Sequence, residues 1–263
     1  MAGAGPKIWL AEAVDGKLVR LENGRSREQI AEHLIEEAGR DPRMVVGLDF
    51  AFSLPAWFLE QRDLASAHEL WALADREGDA WLAACLPPFW GRGRTPRPDQ
   101  VHFRRTELDV PVTAGIRPKS VFQIGGAGAV GTGSLRGMRH LADLADAGFA
   151  IWPFDDPRLP TAVEIYPRAL TGPVLKSRHR ARREYLERRF PDEDAVMRER
   201  AAGSEDAFDA AVSALVMARH RHELADLPSV APDSRPRLEG AIWTPRETDV
   251  TRSIASTDAP HQR

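Results

Sequence analysis

Three places in the chain put carboxylates where folding alone does not ask for them. Asp49 ends the apolar run Met44-Val45-Val46-Gly47-Leu48 and is followed by Phe50-Ala51-Phe52-Ser53-Leu54-Pro55. An acid in such a run is costly to bury unless it is paired or bound to a metal, and strand C-termini in α/β sheets are where sites collect. The competing reading is an Asp that caps the following turn. Glu164 stands among β-formers in Ala162-Val163-Glu164-Ile165-Tyr166. Taken alone, it reads first as alternation on a half-exposed strand, with Val163 and Ile165 facing in. Asp206 and Asp209 lie three apart near the start of a helix and share one of its faces. Ser204 is the expected N-cap, and the helix dipole favours anions in the first turn. First-turn acids are ordinary, but Asp209 lies beyond that turn beside apolar neighbours.

One chemistry ties these positions together. Several convergent carboxylates form an all-oxygen site of the kind that hard cations such as Mg²⁺ or Mn²⁺ prefer. Two hydrated cations about 4 Å apart hydrolyse a phosphodiester without a nucleophilic side chain. On this reading Asp49, Glu164, Asp206 and Asp209 are at once the catalytic and the metal-binding residues of a divalent-metal-dependent nuclease. Lys119, Arg168, Arg182 and Arg183 are the candidate phosphate contacts, together with the loop near Arg104. Basic clusters at 92–105 and 176–189 can meet phosphates even on an acidic protein, or be solvated surface.

The elements that must position these residues are legible in part. Lys7–Ala13 and Leu18–Glu22 read as strands joined by an Asp15-Gly16 turn. Ser26 caps a helix to about Ala38, with Gly39 as its stop. Met44–Phe50 reads as a strand buried on both faces, and 60–83 as helical. From Cys85 to about Asp109 the chain is rich in Pro, Gly and Arg, yet Phe89, Trp90 and Phe103 ask for burial. It reads as an ordered excursion within an insertion spanning about 85–160. Strands are expected at Ser120–Ile124, Phe149–Phe154, Thr161–Tyr166 and Leu238–Trp243. Helices are expected at Ser134–Ala147, Ser177–Arg189 and Ser204–Leu224. One domain over 1–245, with a frayed tail at 246–263, follows from the lack of a dividing linker. The class is α/β: a mixed sheet with helices on both faces.

Composition supports a folded core: 43% of the 263 residues are hydrophobic and 29% charged, with a net charge of −3. No apolar run approaches the roughly 20 residues of a membrane helix, and the N-terminus lacks a secretory pattern. The lone Cys85 excludes an internal disulfide framework and a thiolate zinc cage. The cytoplasm is the expected compartment, with no membrane partner. Histidines 140, 179, 220 and 222 read as solvated helix residues, and Ser53 lacks a nucleophile elbow.

The acidic segments carry a family likeness. Val46-Gly47-Leu48-Asp49-Phe50-Ala51-Phe52-Ser53-Leu54-Pro55, Val163-Glu164-Ile165-Tyr166-Pro167-Arg168 and Asp206-Ala207-Phe208-Asp209-Ala210-Ala211 resemble the domain-of-unknown-function family 429. That family is described as predicted nucleases with a ribonuclease-H fold. The Asp-x-x-Asp-Ala helix is similar to the last acidic motif of RuvC-like resolvases. Residues 7–243 are covered by the likeness. It implies a ribonuclease-H-like sheet, a metal-dependent nuclease activity on nucleic acid, and Mg²⁺ or Mn²⁺ at the four acids. Such proteins open with a strand carrying a first catalytic Asp. Here Met1-Ala2-Gly3-Ala4-Gly5-Pro6 resembles only the tail of that stretch. The expectation is that the strand is encoded upstream, or that a non-catalytic relative has lost it and binds nucleic acid or a partner.

A third reading comes from Gly126-Ala127-Gly128-Ala129-Val130-Gly131, a G-x-G-x-x-G match between a candidate strand and a helix. In a βαβ unit, such a loop cradles a dinucleotide pyrophosphate. Its mid-chain position and the single visible βαβ unit weigh against a nucleotide-binding enzyme that uses loop 125–133.

Overall fold

A computed structural model describes residues 8–93, 95–99 and 101–246. The expected tail at 246–263 lies outside them, apart from Arg246, and so does Lys7. An antiparallel hairpin, β1 (Trp9–Val14) and β2 (Lys17–Asn23), comes first. Its turn has Asp15 and Gly16 both at positive φ, 50° and 78°, the geometry that matches the strands' right-handed twist. Helix α1 (Arg27–Arg40) follows; Ser26 caps it, and Gln29 closes a reciprocal capping box.

Strand β3 (Val45–Leu48) leads into α2 (Ala56–Glu60) and α3 (Ala67–Ala84). The insertion holds α4 (Arg105–Asp109) and α5 (Gly131–Asp146), then β4 (Ala150–Trp152). Strand β5 (Thr161–Ile165) is followed by α6 (Pro167–Thr171), α7 (His179–Arg189), α8 (Ala195–Ala202), α9 (Glu205–Arg219), α10 (Arg221–Ala225), α11 (Arg235–Glu239) and β6 (Ile242–Trp243). The sheet is parallel, in the order β3-β5-β4. Strand β6 pairs β5 at Glu164 and Ile165. Since β3 already holds the other edge of Glu164, β6 extends the edge that β4 leaves.

The class is therefore mixed α/β, with helices over a small parallel sheet. Several expectations change in detail. The strand buried on both faces is β5, all five residues of which are buried; Val45, Gly47 and Leu48 of β3 keep part of their surface. Ser120–Ile124 is not a sheet strand: it turns, and among the described residues its one bridge joins Gln123 to Trp90. The long helix expected at 204–224 breaks at His220 into α9 and α10. Only Ile242–Trp243 of the last expected strand is extended, and Arg235–Glu239 is helical.

The two faces of the sheet bury different clusters. Val46, Ile151 and Ala162 pack with α2, α3 and α5 around Phe52, Phe58, Trp71 and Phe122. Trp152, Val163 and Ile165 pack with the hairpin and with Phe208, Val212 and Leu215 of α9. Gly47 admits α9: a Cβ there would lie 2.5 Å from Met217 Sδ. This alternation decides where the acids go. Residues of β3 with the parity of Val45 and Gly47 face α9, and those with the parity of Val46 and Leu48 face α5.

Candidate functional site

Asp49 follows the last residue of β3, and the turn that carries it is fixed from several sides. Ala51 N–H donates to Ser134 Oγ at 3.0 Å, and Phe52 N–H to Glu164 Oε2 at 3.0 Å. Ser53 Oγ donates to Leu238 O at 2.7 Å, Ala56 N–H to Glu239 Oε1 at 2.7 Å, and Trp71 Nε1 to Phe52 O at 2.8 Å. Phe50 packs on the α5 face, against Gly137, so Asp49 turns the other way, as its parity with Gly47 requires. It does not cap the turn: among the described residues its carboxylate has no hydrogen bond or ion pair.

Asp49 opens into a cleft of about 440 Å³ at the C-terminal ends of β3 and β5. Glu164, Lys176, Asp209, Lys119, Arg168 and Tyr166 also line it. Protein crowding strips water from the Asp49 carboxyl, and the like charge of Asp209, Glu164 and Asp206 adds to the effect. Against the pull of Lys176, its pKa is pushed up to about 7. The residue as a whole is exposed at the cleft mouth, so solvent screens much of that shift without reversing its sign.

Asp209 sits one turn into α9, half-buried. Lys176 Nζ donates to both its oxygens, at 2.7 and 2.6 Å. Burial pushes the Asp209 carboxyl up, opposed by Lys176 and Arg168 and reinforced by Asp206. Asp206 is exposed, and its neighbour Glu205 lines the cleft in its place. Its charge still reaches both Asp49 and Asp209. Ser204 caps the helix by accepting from Ala207 N–H at 3.0 Å. Tyr166 stands at the end of β5; burial raises its phenol, and the charges of Asp49 and Asp209 add to the rise.

Glu164 departs from the expected role. It is buried and turns to the other face of the sheet, in a cluster with Arg104 and Glu107 that lines the same cleft, and Arg104 holds it: Nη1 donates to Oε2 at 2.8 Å and Nη2 to Oε1 at 2.5 Å. With Phe52 N–H, these bonds engage both oxygens. Arg104 is itself 1% exposed, and it also donates through Nε to Glu107 Oε1 at 3.0 Å and through Nη1 to Glu239 O at 3.1 Å. Burial opposes its charge, but Glu164 and Glu107 outweigh that and hold the guanidinium above its ordinary pKa. Burial pushes the Glu107 carboxyl up despite Arg104. Glu239 accepts the first N–H groups of both α2 and α4. The loop near Arg104 is thus a clamp between the insertion, β5 and the C-terminal segment, and not a phosphate contact.

The basic candidates divide similarly. Arg182 is buried; its guanidinium donates to Ala202 O at 2.7 Å and to Lys176 O, so it is closed to a phosphate. Arg183 is exposed on α7, 3.5 Å from Glu187, and does not line the cleft. Arg168 and Lys119 do. Arg168 uses Nη1 on Gly172 O and Val174 O, at 3.2 and 2.8 Å; Lys119 is exposed and has no partner among the described residues. Sequence reasoning passed over Lys176, whose one signal was its place among apolar and small residues in Val174-Leu175-Lys176-Ser177.

The glycine loop is explained by packing. Gly126 and Gly128 both have φ of 77°. A Cβ on Gly131 would lie 2.1 Å from Val121 O, and Gly131 N–H donates to Gln123 O at 2.9 Å. The close approach therefore serves the loop's own backbone. Without a sheet strand before α5, the βαβ unit of a dinucleotide site is not formed.

A second hollow, lined by Arg97, Asp99, Val101, His102, Phe103 and Leu108, lies in the insertion. It gathers a single acid, Asp99, with one imidazole, His102, whereas the cleft at the strand ends gathers several acids and cations and is the chemical candidate. Among the described residues, no three carboxylate, imidazole or thiol side chains form a group that could hold a metal ion as they stand. No helix among them is long and apolar enough to cross a membrane. No family model, no curated protein and no solved structure matches this chain.

Proposed function

We propose that the chain is a Mg²⁺- or Mn²⁺-dependent nuclease whose cation is held between Asp49 and Asp209. The observation that carries this reading is Asp49 itself. Its carboxylate has no hydrogen bond or ion pair among the described residues, and it is fixed by a braced turn at a strand end, where protein crowding, reinforced by neighbouring acids and opposed by Lys176, pushes its pKa up to about 7. A cation placed there would relieve both causes of the rise. Asp49 and Asp209 supply hard oxygen donors on one face of the sheet, and Asp206 adds negative potential from the first turn of α9. Glu164 is not part of this set, because Arg104 and Phe52 N–H already satisfy its oxygens.

A divalent ion bound there would lower the pKa of a coordinated water and offset charge developing on a phosphodiester. The chain's own residues do the rest. Lys119 and Arg168, which both line the cleft, serve as phosphate partners. Tyr166 lines the cleft with both acids, and its phenol, neutral at ordinary pH, can donate a hydrogen bond to a leaving oxygen.

The test is a nuclease assay with Mn²⁺ on single- and double-stranded DNA and RNA, comparing the wild type with Asp49→Asn/Asp206→Asn. The expected result is cleavage by the wild type and at least about a hundredfold loss in the variant. Equal activity in the two removes the idea. A non-catalytic relative is the second reading, favoured by the absence of a ready-made ligand group among the described residues. It predicts salt-sensitive nucleic-acid binding without cleavage.

A further inference from the structure

Lys176 reaches the cleft from the segment between α6 and α7, and its backbone is anchored before its side chain is used. Its N–H donates to Val174 O at 3.0 Å. Its carbonyl accepts from the buried Arg182, which also holds Ala202 O at the end of α8. From this anchor the ammonium extends to both oxygens of Asp209, at 2.7 and 2.6 Å. The lysine side chain is 9% exposed and that of Asp209 is 22% exposed; both line the cleft. The same ammonium is the one cation that draws the Asp49 carboxyl down among its strongest influences.

With the ammonium on both its oxygens, the Asp209 carboxylate is already neutralised, and a second cation brought to its remaining lone pairs meets the ammonium's repulsion. The pair lines the cleft beside Asp49, whose carboxylate has no hydrogen bond or ion pair among the described residues. We infer that Lys176 is a resident counter-cation: its ammonium holds the Asp209 position until a divalent ion displaces it. This rests on the cation reading of the cleft given above. The positioning is built in, because Arg182 fixes the lysine backbone, so only the four-carbon stem and its ammonium need move in the exchange. The exchange is ionic and breaks no covalent bond. The Lys176–Asp209 pair is replaced by an Asp209–cation contact, and the released ammonium faces the cleft.

The consequence is competition. Wild-type affinity for the bare cation is reduced by the work of breaking the pair, and removing the lysine charge restores it. The experiment measures Mn²⁺ binding to the full chain by calorimetry and by its effect on Tm, for the wild type, Lys176→Met, Lys176→Gln and Asp49→Asn. Lys176→Met and Lys176→Gln should bind Mn²⁺ at least about tenfold more tightly than the wild type, a change of about 1.4 kcal/mol. Without metal, both should melt lower than the wild type, and Mn²⁺ should raise their Tm more. A Mg²⁺ titration of the wild type, followed by lysine side-chain NMR, needs no variant to fold; the Lys176 resonance should move as the metal binds.

Equal or weaker Mn²⁺ binding by both variants overturns the proposal, as does a Lys176 resonance that stays fixed while Mg²⁺ binds. If the wild type binds Mn²⁺ and Asp49→Asn abolishes that binding, such a failure leaves the nuclease reading standing. If no form binds Mn²⁺, or Asp49→Asn binds like the wild type, both fall together.

Discussion

Removing the Arg104 guanidinium is the sharpest test of how the site is held. Arg104→Met keeps most of the buried volume but deletes four side-chain hydrogen bonds, to Glu107 Oε1, Glu164 Oε1, Glu164 Oε2 and Glu239 O. Glu107 and Glu164, 2% and 3% exposed, would then face each other's charge with one backbone N–H apiece. Breaking a buried pair by removing one partner costs about 3–5 kcal/mol, and here one cation serves two acids, so the upper part of that range applies. For a chain of this length, that lowers Tm by about 10 °C or more. Urea unfolding should show the loss as a reduced midpoint.

The pH dependence adds a signature. Burial already pushes the Glu107 carboxyl up, and the variant removes the cation that opposes that rise. The folded state therefore holds more protons, and stability recovers as pH falls through that raised range. Adding Glu164→Gln to Arg104→Met should return about 1–2 kcal/mol, since one uncompensated charge goes with it. A loss below about 1 kcal/mol at neutral pH, or a loss that deepens on acidification, would refute the assignment of Arg104 as the cation that neutralises the insertion–sheet junction.

Two further outcomes follow from particular contacts. The Asp49 pKa is raised by folding, so the protein loses stability as pH climbs from the ordinary carboxyl range to about 7. Asp49→Asn should remove that slope and gain about 1 kcal/mol at pH 7.5, because the open cleft mouth screens most of what a dry site would impose; an unchanged pH profile of urea midpoints counts against the crowding described. Gly131→Ala places a methyl 2.1 Å from Val121 O. It should cost at least about 2 kcal/mol, although alanine is the better helix former. A neutral Gly131→Ala in the same assay would mean that the glycine is kept for something other than backbone packing.

What could be read from the sequence was local. The capping box at Ser26, the Asp15-Gly16 turn, the apolar run before Asp49 and the small-residue face after Ser204 each carry their structure in a few neighbouring residues. The first three lie where expected, within a residue or two, and the helix after Ser204 begins where expected but breaks at His220. Ser120–Ile124 has the composition of a strand, but no sheet edge is available to it. Its apolar side chains are used instead around Trp90 and Phe58, and only the tertiary arrangement decides that. Helix α4 is one turn long, and its first N–H is met by Glu239, remote in sequence; no window of local pattern contains that information. Helices α6 and α8 carry local signals, Pro167 at the first position of α6 and Asp194 as the N-cap of α8, but each is only one or two turns long.

The same distinction separates the two acids that the sequence made look alike. Asp49 and Glu164 both end buried parallel strands, and adjacent strands bring their carboxylates within electrostatic reach. Which face each one takes depends on a single step of parity. Asp49 goes with Gly47 toward α9 and the lysine–aspartate pair; Glu164 goes with Ala162 toward the insertion. There it meets an arginine 60 positions earlier in the chain, whose segment reads from sequence as a basic surface loop. A carboxylate's role in such a sheet is set by the cation that its face offers. Glu164 is given a permanent one in Arg104, Asp209 a replaceable one in Lys176, and Asp49 no bonded one among the described residues, only the more distant pull of Lys176, which makes Asp49 the residue whose charge any ligand of this cleft must answer.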